Sequence, residues 1–316
     1  MKRKVIQIAN STQLISLPRD WALRFNIKKG DELEVTEMGA QVTVSTSKGI
    51  NIKKREIDVT KLHETTIKKL LYGLYNVGYE EVKVKFDSLD AVDIIQNVLR
   101  DEMIGYEIIE QRENYIIVKS IAGGFETEFD NMLRRAFILL KTMSQGILEA
   151  MEKEDVMILK SIRQLEANNN KYIAFCFRIL AKRGYSDYEK TIFMYGVLNE
   201  LEKAADHLKY LCDLLASDKL NIKNISKEQI AFFKGVDDYL DFAYNLFYNF
   251  NFENADKLFT RRKDLIKKGL DIIYSTNFSS PKTKMHDICH MRITVYGINF
   301  IQAIADMTSR RLETIL

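Results

Sequence analysis

The spacing of apolar residues changes twice along the chain and divides it into three segments. In the first, residues 4–46, apolar and polar residues alternate in short runs, as they do over 42–44. A period of two is typical of half-buried strands. We therefore predict four short strands, with a turn at 38–40 that closes a hairpin. Pro18 is well placed to open a short helix over 18–25, because proline is favoured at the first helical position.

The second segment, residues 52–121, alternates between strand-like and helix-like patterns and predicts a small α/β unit. Residues 81–86 alternate strictly, whereas the apolar residues of 61–77 recur every three or four positions. Gly73 and Gly78 lack the spacing of a phosphate-binding loop. The expected elements are strands at 57–59, 81–86, 106–109 and 115–118 and helices at 61–77 and 88–103.

The third segment, residues 124–316, shows apolar residues at helical spacing throughout. The chain has only two prolines in 316 residues, although proline makes up about 5% of average protein sequence. Because proline interrupts helices, this scarcity favours long ones. The six predicted helices lie near 125–151, 154–183, 186–216, 226–251, 254–275 and 283–316.

A repeat with an offset of 100 residues relates the two halves of this helical segment. Asn199 corresponds to Asn299 and Asp206 corresponds to Asp306. The helices also follow in the same order, three and three. We therefore predict two related three-helix bundles side by side. The predicted repeats are residues 123–220 and 221–316.

Composition excludes several classes of protein. With 46% apolar and 29% charged residues, the chain is typical of a globular protein and not of a disordered one. No run of 18 apolar residues occurs, so no membrane span is expected. The basic start is not followed by the apolar core of a signal peptide, so we expect a cytoplasmic protein. Cys176, Cys212 and Cys289 do not have the spacing of a disulfide framework or a zinc ribbon.

Charge is distributed unevenly, although the net charge is only +3. Residues 1–30 hold seven basic residues and one acidic residue, and four acidic residues follow over 31–37. Basic side chains beside a phosphate backbone gain affinity by releasing counterions. The pattern is compatible with DNA binding and also with an ordinary solvated surface.

Two carboxylates lie one helical turn apart in the sequence Glu202-Lys-Ala-Ala-Asp206. Carboxylates on facing helices build metal sites in helical bundles, and such oxygen ligands suit hard cations or iron and manganese. In the second repeat the corresponding residues are Gln302 and Asp306, so a neutral amide replaces one carboxylate. The alternative interpretation of Glu202 and Asp206 is an exposed acidic turn without a ligand.

Other acidic residues and histidines have spacings that could serve the same chemistry. Glu126 and Asp130 have the four-residue spacing on the first helix of the segment, and we include them among the candidate metal ligands. His286 and His290 are spaced like the histidines of zinc proteases, but Asp287 stands where those enzymes need glutamate. We interpret them as surface histidines. No nucleophile or general base accompanies the carboxylates, so we do not expect an enzyme.

Two residues have simpler interpretations. Trp21, the only tryptophan, follows Pro18 closely, and we interpret it as a hydrophobic anchor rather than a residue that stacks on a nucleobase. Asp187 lies in a capping-box sequence that runs from Ser186 to Glu189. We interpret Asp187 as part of a helix cap.

Residues 4–46 resemble the SpoVT/AbrB swapped-hairpin family. The resemblance is carried by the stretches 11–21 (STQLISLPRDW), 27–31 (IKKGD) and 42–44 (VTV). It implies that two chains interleave their hairpins into one dimeric β-barrel that binds DNA. A segment of this length buries little core alone, which agrees with pairing of two copies. The resemblance places at or near the DNA face Lys2, Arg3, Lys4, Ser11, Arg19 and Arg24.

Residues 124–316 resemble the PhoU family of phosphate-signalling proteins, which has two three-helix repeats with Glu/Asp-x-x-x-Asp on the last helix of each. The run from Glu202 to His207 matches that motif, whereas Gln302 departs from it at the first position. The resemblance implies iron or zinc on the motif carboxylates, and phosphate transporters and sensor kinases as partners. The order of the three segments resembles that of an archaeal phosphate-uptake regulator.

Together these inferences predict a multidomain α+β protein. It has an N-terminal swapped-hairpin β-barrel, a small α/β middle segment and a C-terminal all-α domain of tandem three-helix bundles. The leading hypothesis is a homodimeric transcription regulator of phosphate uptake that binds promoter DNA and senses or relays phosphate or metal status. The alternative is an adaptor that docks on a transporter or kinase and does not bind DNA, which the acidic stretch and the near-neutral charge favour. The predicted domains are residues 1–50, 51–122 and 123–316.

Overall fold

A computed structural model provides the structure of the chain. It divides into two compact units, Met1–Lys53 and Lys54–Leu316, which we describe separately. The three predicted domains have different limits from these two units, and that finer division stays a prediction. The residues that the structure describes are 2–8, 11–46, 53–121, 128–218, 220–275 and 284–315.

The first unit contains two antiparallel strand pairs and one short helix. In the first pair Ile6 lies opposite Leu14, and in the second Val35 lies opposite Val44. Gly39 turns the second pair with a φ of +56°, a left-handed conformation that glycine adopts without strain. The elements are β1 (Ile6–Ile8), β2 (Thr12–Leu14), α1 (Arg19–Arg24), β3 (Glu34–Met38) and β4 (Gln41–Ser45).

The hairpin of β3 and β4 and the short helix confirm the sequence prediction for this unit. The strand expected from the apolar run at 14–17 lies instead at Thr12–Leu14. The reason is pairing: β1 offers partners only for those three residues, so Ile15 and Leu17 continue without a neighbouring strand in this unit.

A single copy of the first unit has no closed hydrophobic core. None of the described side chains in residues 2–46 reaches the buried class. Large apolar side chains are exposed instead, and they come from every element of the unit. They are Val5, Ile6, Ile8, Leu14, Ile15, Leu23, Val35 and Val42.

The second unit begins with a four-stranded sheet that has two helices on one face. The strand order is β5-β6-β8-β7, with β5 parallel to β6 and the other neighbours antiparallel. Val84 and Ile116 on the sheet pack with Ile67 and Ile95 on the helices, and all four are buried. The elements are β5 (Lys54–Asp58), α2 (Glu64–Asn76), β6 (Glu81–Lys85), α3 (Leu89–Glu102), β7 (Tyr106–Gln111) and β8 (Tyr115–Ser120).

Six long helices follow, as the apolar spacing predicts. Helices α4, α5 and α6 pack in succession, α7, α8 and α9 pack on one another, and the two groups meet through α4–α7 and α6–α9. None of the described helices is long and apolar enough to cross a membrane. The helices are α4 (Phe129–Lys153), α5 (Val156–Arg183), α6 (Thr191–Leu215), α7 (Lys227–Tyr248), α8 (Phe252–Ser275) and α9 (Lys284–Glu313).

Helices α6 and α9 run antiparallel and approach closely. Gly196 of α6 lies against the side chain of Arg310, and the ring of His207 lies 6.4 Å from that of Tyr296. The small residues at 204–205 of α6 are fully buried. Absence of side-chain bulk on α6 therefore permits the approach of the neighbouring helix.

Asp187 occupies the N-cap position of a short 3₁₀ turn, Tyr188–Lys190, that precedes α6, and this confirms its predicted place in a helix cap. Its side chain makes no capping bond there and pairs instead with Lys190 at 3.0 Å. Helix α6 itself starts at Thr191. A capping box occurs at the start of α7, between Ser226 and Gln229.

Arg178 of α5 joins the long helices to the α/β region. Its guanidinium donates to the carbonyl oxygens of Tyr75 (2.9 Å) and Tyr79 (2.7 Å) and to Glu80 Oε2 (3.1 Å). It also lies 5.0 Å from the ring centres of both Tyr75 and Tyr106. The residue is only 5% exposed. A buried cation is thus satisfied by partners that lie about 100 positions away in the chain.

We predict that Arg178→Met lowers the free energy of unfolding by about 3–5 kcal/mol, because it removes one partner of a buried ion pair and the donor of two hydrogen bonds to buried carbonyl groups. Urea unfolding followed by circular dichroism measures this loss. Arg135→Met, at an exposed position of α4, is the control and should change little. Equal losses in the two variants would contradict a joining role for Arg178.

Candidate functional site

The residues predicted to contact DNA are all exposed on the first unit. Three of them precede β1, a fourth directly precedes β2, and the other two are the first and last residues of α1. Among the described residues, no carboxylate pairs with any of the six. The charges of the five basic residues are therefore available to an external anion, and Ser11 offers a neutral hydroxyl beside them. The six are Lys2, Arg3, Lys4, Ser11, Arg19 and Arg24.

The short helix α1 is held by its own aromatic residues. Pro18 precedes it in an extended conformation, and the ring of Trp21 lies 5.7 Å from that of Phe25. Trp21 is half-buried. This packing supports its interpretation as a hydrophobic anchor, which fixes the backbone on which Arg19 and Arg24 stand.

The acidic residues that follow lie on the same unit. Asp31 accepts a hydrogen bond of 2.6 Å from the backbone N–H of Lys28 and so shapes the turn before β3. Glu32, Glu34 and Glu37 are exposed. The unit therefore carries exposed charge of both signs, and binding of an anion depends on where its basic residues cluster.

The first carboxylate motif is engaged by a lysine of the same helix. The Lys209 ammonium pairs with Asp206 and also with Glu166 Oε1 of α5 at 3.1 Å. Glu166 is buried, and it further accepts from Asn170 Nδ2 (2.6 Å) and Arg163 Nη1 (3.2 Å). The sequence prediction missed this network because Glu166 and Lys209 are 43 positions apart. The only local signal was the three-residue spacing between Asp206 and Lys209.

Glu202, the other carboxylate of that motif, is half-buried. Its pKa is raised above the usual range, chiefly by burial and secondly by the charge of Asp206, while Lys209 opposes the shift. The folded protein therefore disfavours the negative charge of Glu202.

The second motif is a chain of three side chains. Arg262 Nη2 of α8 donates to Gln302 Oε1 at 2.6 Å, and Gln302 Nε2 donates to both carboxylate oxygens of Asp306 at 2.9 Å. Because a guanidinium only donates and a carboxylate only accepts, these neighbours set the orientation of the amide. The sequence predicted weaker metal binding here but not the participation of Arg262.

The third pair of candidate metal ligands, Glu126 and Asp130, does not join the carboxylates of α6 and α9 in the part of the chain that the structure describes. Glu126 lies outside the described residues. Asp130 is exposed in the first turn of α4, where a negative charge suits the helix dipole. Its carboxylate lies 3.4 Å from the hydroxyl of Tyr185. The contacts of Asp130 thus involve the end of α5 and not the motifs of α6 and α9.

Of the two histidines that are spaced like those of zinc proteases, the structure describes the side chain of only one. The side chain of His286 is outside what the structure describes, whereas His290 Nδ1 lies 3.1 Å from Gln229 Oε1. Gln229 also donates to the His290 carbonyl oxygen at 2.9 Å. His290 is therefore part of the packing between α7 and α9.

The described residues do not fit an iron or zinc site. No three histidine, cysteine, aspartate or glutamate side chains within them lie close enough together to hold a metal ion. Zinc and iron sites need about that number of protein ligands, with lone pairs directed at the ion. Here N–H donors face Asp206 and Asp306 instead. Metal binding stays a prediction of the sequence.

The first unit combines short strand pairs, a short helix preceded by proline and exposed basic side chains. Residues 6–52 match a family model described as Antidote-toxin recognition MazE, bacterial antitoxin. The chain therefore carries an N-terminal MazE/AbrB-type domain, and a domain of this type suggests DNA binding. No curated protein and no solved structure matches the chain. The resemblance of the helical segment to PhoU stays a prediction.

We predict that Glu202→Gln raises the melting temperature by a few degrees at pH 8. A carboxyl group with a raised pKa stabilises the fold when protonated, and this stabilisation is lost as the pH rises through that pKa. The amide is neutral at every pH, so the advantage should shrink as the pH falls towards 4.5. Thermal melts from pH 4.5 to 8 test this, with the exposed Glu152→Gln as control. A pH-independent difference would contradict it.

Proposed function

We propose that the protein is a homodimeric transcription regulator that binds promoter DNA through its N-terminal unit. The observation that carries this proposal is the match of residues 6–52 to the MazE model, on a unit that exposes Lys2, Arg3, Lys4, Arg19 and Arg24. MazE/AbrB-type domains bind DNA, usually as dimers. The first contacts would be from arginine and lysine to phosphates, with few contacts to bases.

Dimerisation is supported by the exposed apolar residues of the first unit. Val35 and Val42 are 64% and 65% exposed, yet both lie on regular strands. Exposed apolar side chains on several elements of so small a unit favour burial against a partner. A second copy is the partner that the resemblance implies, through interleaved hairpins that close one barrel.

We predict that Val42→Asp converts the dimer to a monomer, or lowers its dimerisation affinity at least tenfold. The substitution places a charge in an apolar interface from which dimerisation excludes water. Light scattering after size-exclusion chromatography measures the mass. Thr43→Asp is the matched control, since successive residues of a strand point to opposite faces. A dimer that tolerates Val42→Asp would exclude this face as the interface.

DNA binding gives a second, independent prediction. Affinity for promoter fragments of phosphate-transport genes should fall with salt, and Arg19→Ala should reduce the slope of log affinity against log salt by about 1, since one phosphate contact is lost. Fluorescence anisotropy at several salt concentrations measures this slope. Lys69→Ala, at an exposed position of α2, should leave it unchanged. No binding, or a slope unaffected by Arg19→Ala, would argue against the assigned face.

For the helical segment we propose two related three-helix repeats that relay phosphate status to the DNA-binding unit. Support comes from the 100-residue repeat, from the order of packing α4-α5-α6 and α7-α8-α9, and from the antiparallel contact of α6 with α9. We propose no catalytic role for this segment, because the sequence shows no nucleophile or general base with the motif carboxylates.

The alternative function is an adaptor that dimerises through the first unit and docks on a phosphate transporter or sensor kinase. The exposed acidic residues Glu32, Glu34 and Glu37 favour it, because they would repel a phosphate backbone that approached them. Recovery of transporter subunits from phosphate-starved cells, together with no salt-dependent DNA affinity, would support the adaptor over the regulator.

A further inference from the structure

We infer that two cationic side chains of the chain itself, Lys209 and Arg262, hold the carboxylate motifs of α6 and α9 in the role expected of metal ions. Neither residue belongs to the motif that sequence spacing identifies. Lys209 lies on α6, one turn after Asp206, and Arg262 lies on the neighbouring helix α8. The negative charge of these carboxylates is balanced within the chain whether or not the first unit binds DNA.

In the first motif the ammonium of Lys209 links two carboxylates of different helices. It contacts Asp206 on α6 and Glu166 on α5, and its side chain is only 16% exposed. Bonds between ionised partners are among the strong hydrogen bonds in proteins. The Glu166 carboxylate, which is 9% exposed, receives two further donors from Arg163 and Asn170. Both Glu166 oxygens and Asp206 Oδ1 therefore already accept from cationic or amide donors of the chain itself.

The ammonium of Lys209 also limits what can bind Asp206, because it already occupies one oxygen of that carboxylate. A divalent ion that took this oxygen would have to displace the ammonium, which would then keep Glu166 as its only acidic partner among the described residues, and that loss is unfavourable for a half-buried charge.

In the second motif the guanidinium of Arg262 acts through an amide. Gln302 receives a bond from Arg262 and donates two to Asp306, so it connects a cation to an anion that the cation does not contact directly. A glutamate at this position would accept from Arg262 but repel Asp306. The neutral amide at the first motif position is thus matched to the arginine of α8. The departure from the PhoU-like motif has a physical reason in this contact.

Metal analysis of the purified full-length protein is the first test. Wild type and Asp206→Asn are prepared without chelator, dialysed against Zn²⁺ or Fe²⁺ in parallel, and measured by elemental mass spectrometry. We expect the same metal content in both proteins. About one or more equivalents in wild type that are lost in Asp206→Asn would overturn the inference and favour the metal site.

Removal of the internal cation is the second test. Lys209→Met keeps the length of the side chain but leaves Glu166 and Asp206 without the ammonium, so the melting temperature should fall by about 5 °C or more. Added Zn²⁺ should restore part of this loss in Lys209→Met, and Asp206→Asn in the same chain should abolish the restoration. Wild type should show no Asp206-dependent shift with Zn²⁺.

The matched control is Lys203→Met, which removes another lysine of α6 with an acidic neighbour three positions away. Lys203 pairs with Glu200 at 2.8 Å and its side chain is 61% exposed, so its loss should change the melting temperature little and create no response to Zn²⁺. Equal effects of the two lysine variants would contradict the inference. If Lys209→Met does not fold, the metal content of wild type and Asp206→Asn still decides it.

Discussion

The buried guanidinium of Arg178 is the contact on which the arrangement of the second unit depends. It lies 5.0 Å from the ring centres of both Tyr75 and Tyr106 and donates to the carbonyl oxygen of Tyr75 near the end of α2, where the helix dipole is negative. A cation is costly to bury unless every donor finds an acceptor, so its position allows little movement between α5 and the α/β sheet. The sheet and the long helices therefore behave as one compact unit.

The first unit follows a different principle. Its strands are regular, yet no described side chain from 2 to 46 is buried. The two units differ in how they obtain a core: the second encloses one within a single chain, whereas the first leaves its apolar residues at the surface. The match of residues 6–52 to the MazE model falls on the unit that is incomplete alone. A regulator built this way would have its DNA affinity coupled to its own concentration through dimerisation.

Local periodicity was enough to predict the six long helices, the α/β alternation and the hairpin turned by Gly39, because each depends on residues within a few positions of one another. Local periodicity could not predict the contacts that define the sites, because those contacts join residues far apart in the sequence. Arg178 with Tyr79, and Lys209 with Glu166, join residues 99 and 43 positions apart, and nothing in the flanking sequence distinguishes them from surface residues. The carboxylates at 202 and 206 were correctly placed on one helix, but their partners come from packing.

Helices α6 and α9 meet antiparallel within one polypeptide, with Gly196 against Arg310 at one end and His207 near Tyr296 at the other. In a pair of identical chains related by a twofold axis, every substitution would occur on both sides of such a contact. In this chain the two helices are encoded by different parts of one gene, so a mutation changes only one of them. The residues at 202 and 302 can therefore differ in charge, as Glu202 and Gln302 do, and each helix can acquire its own contacts.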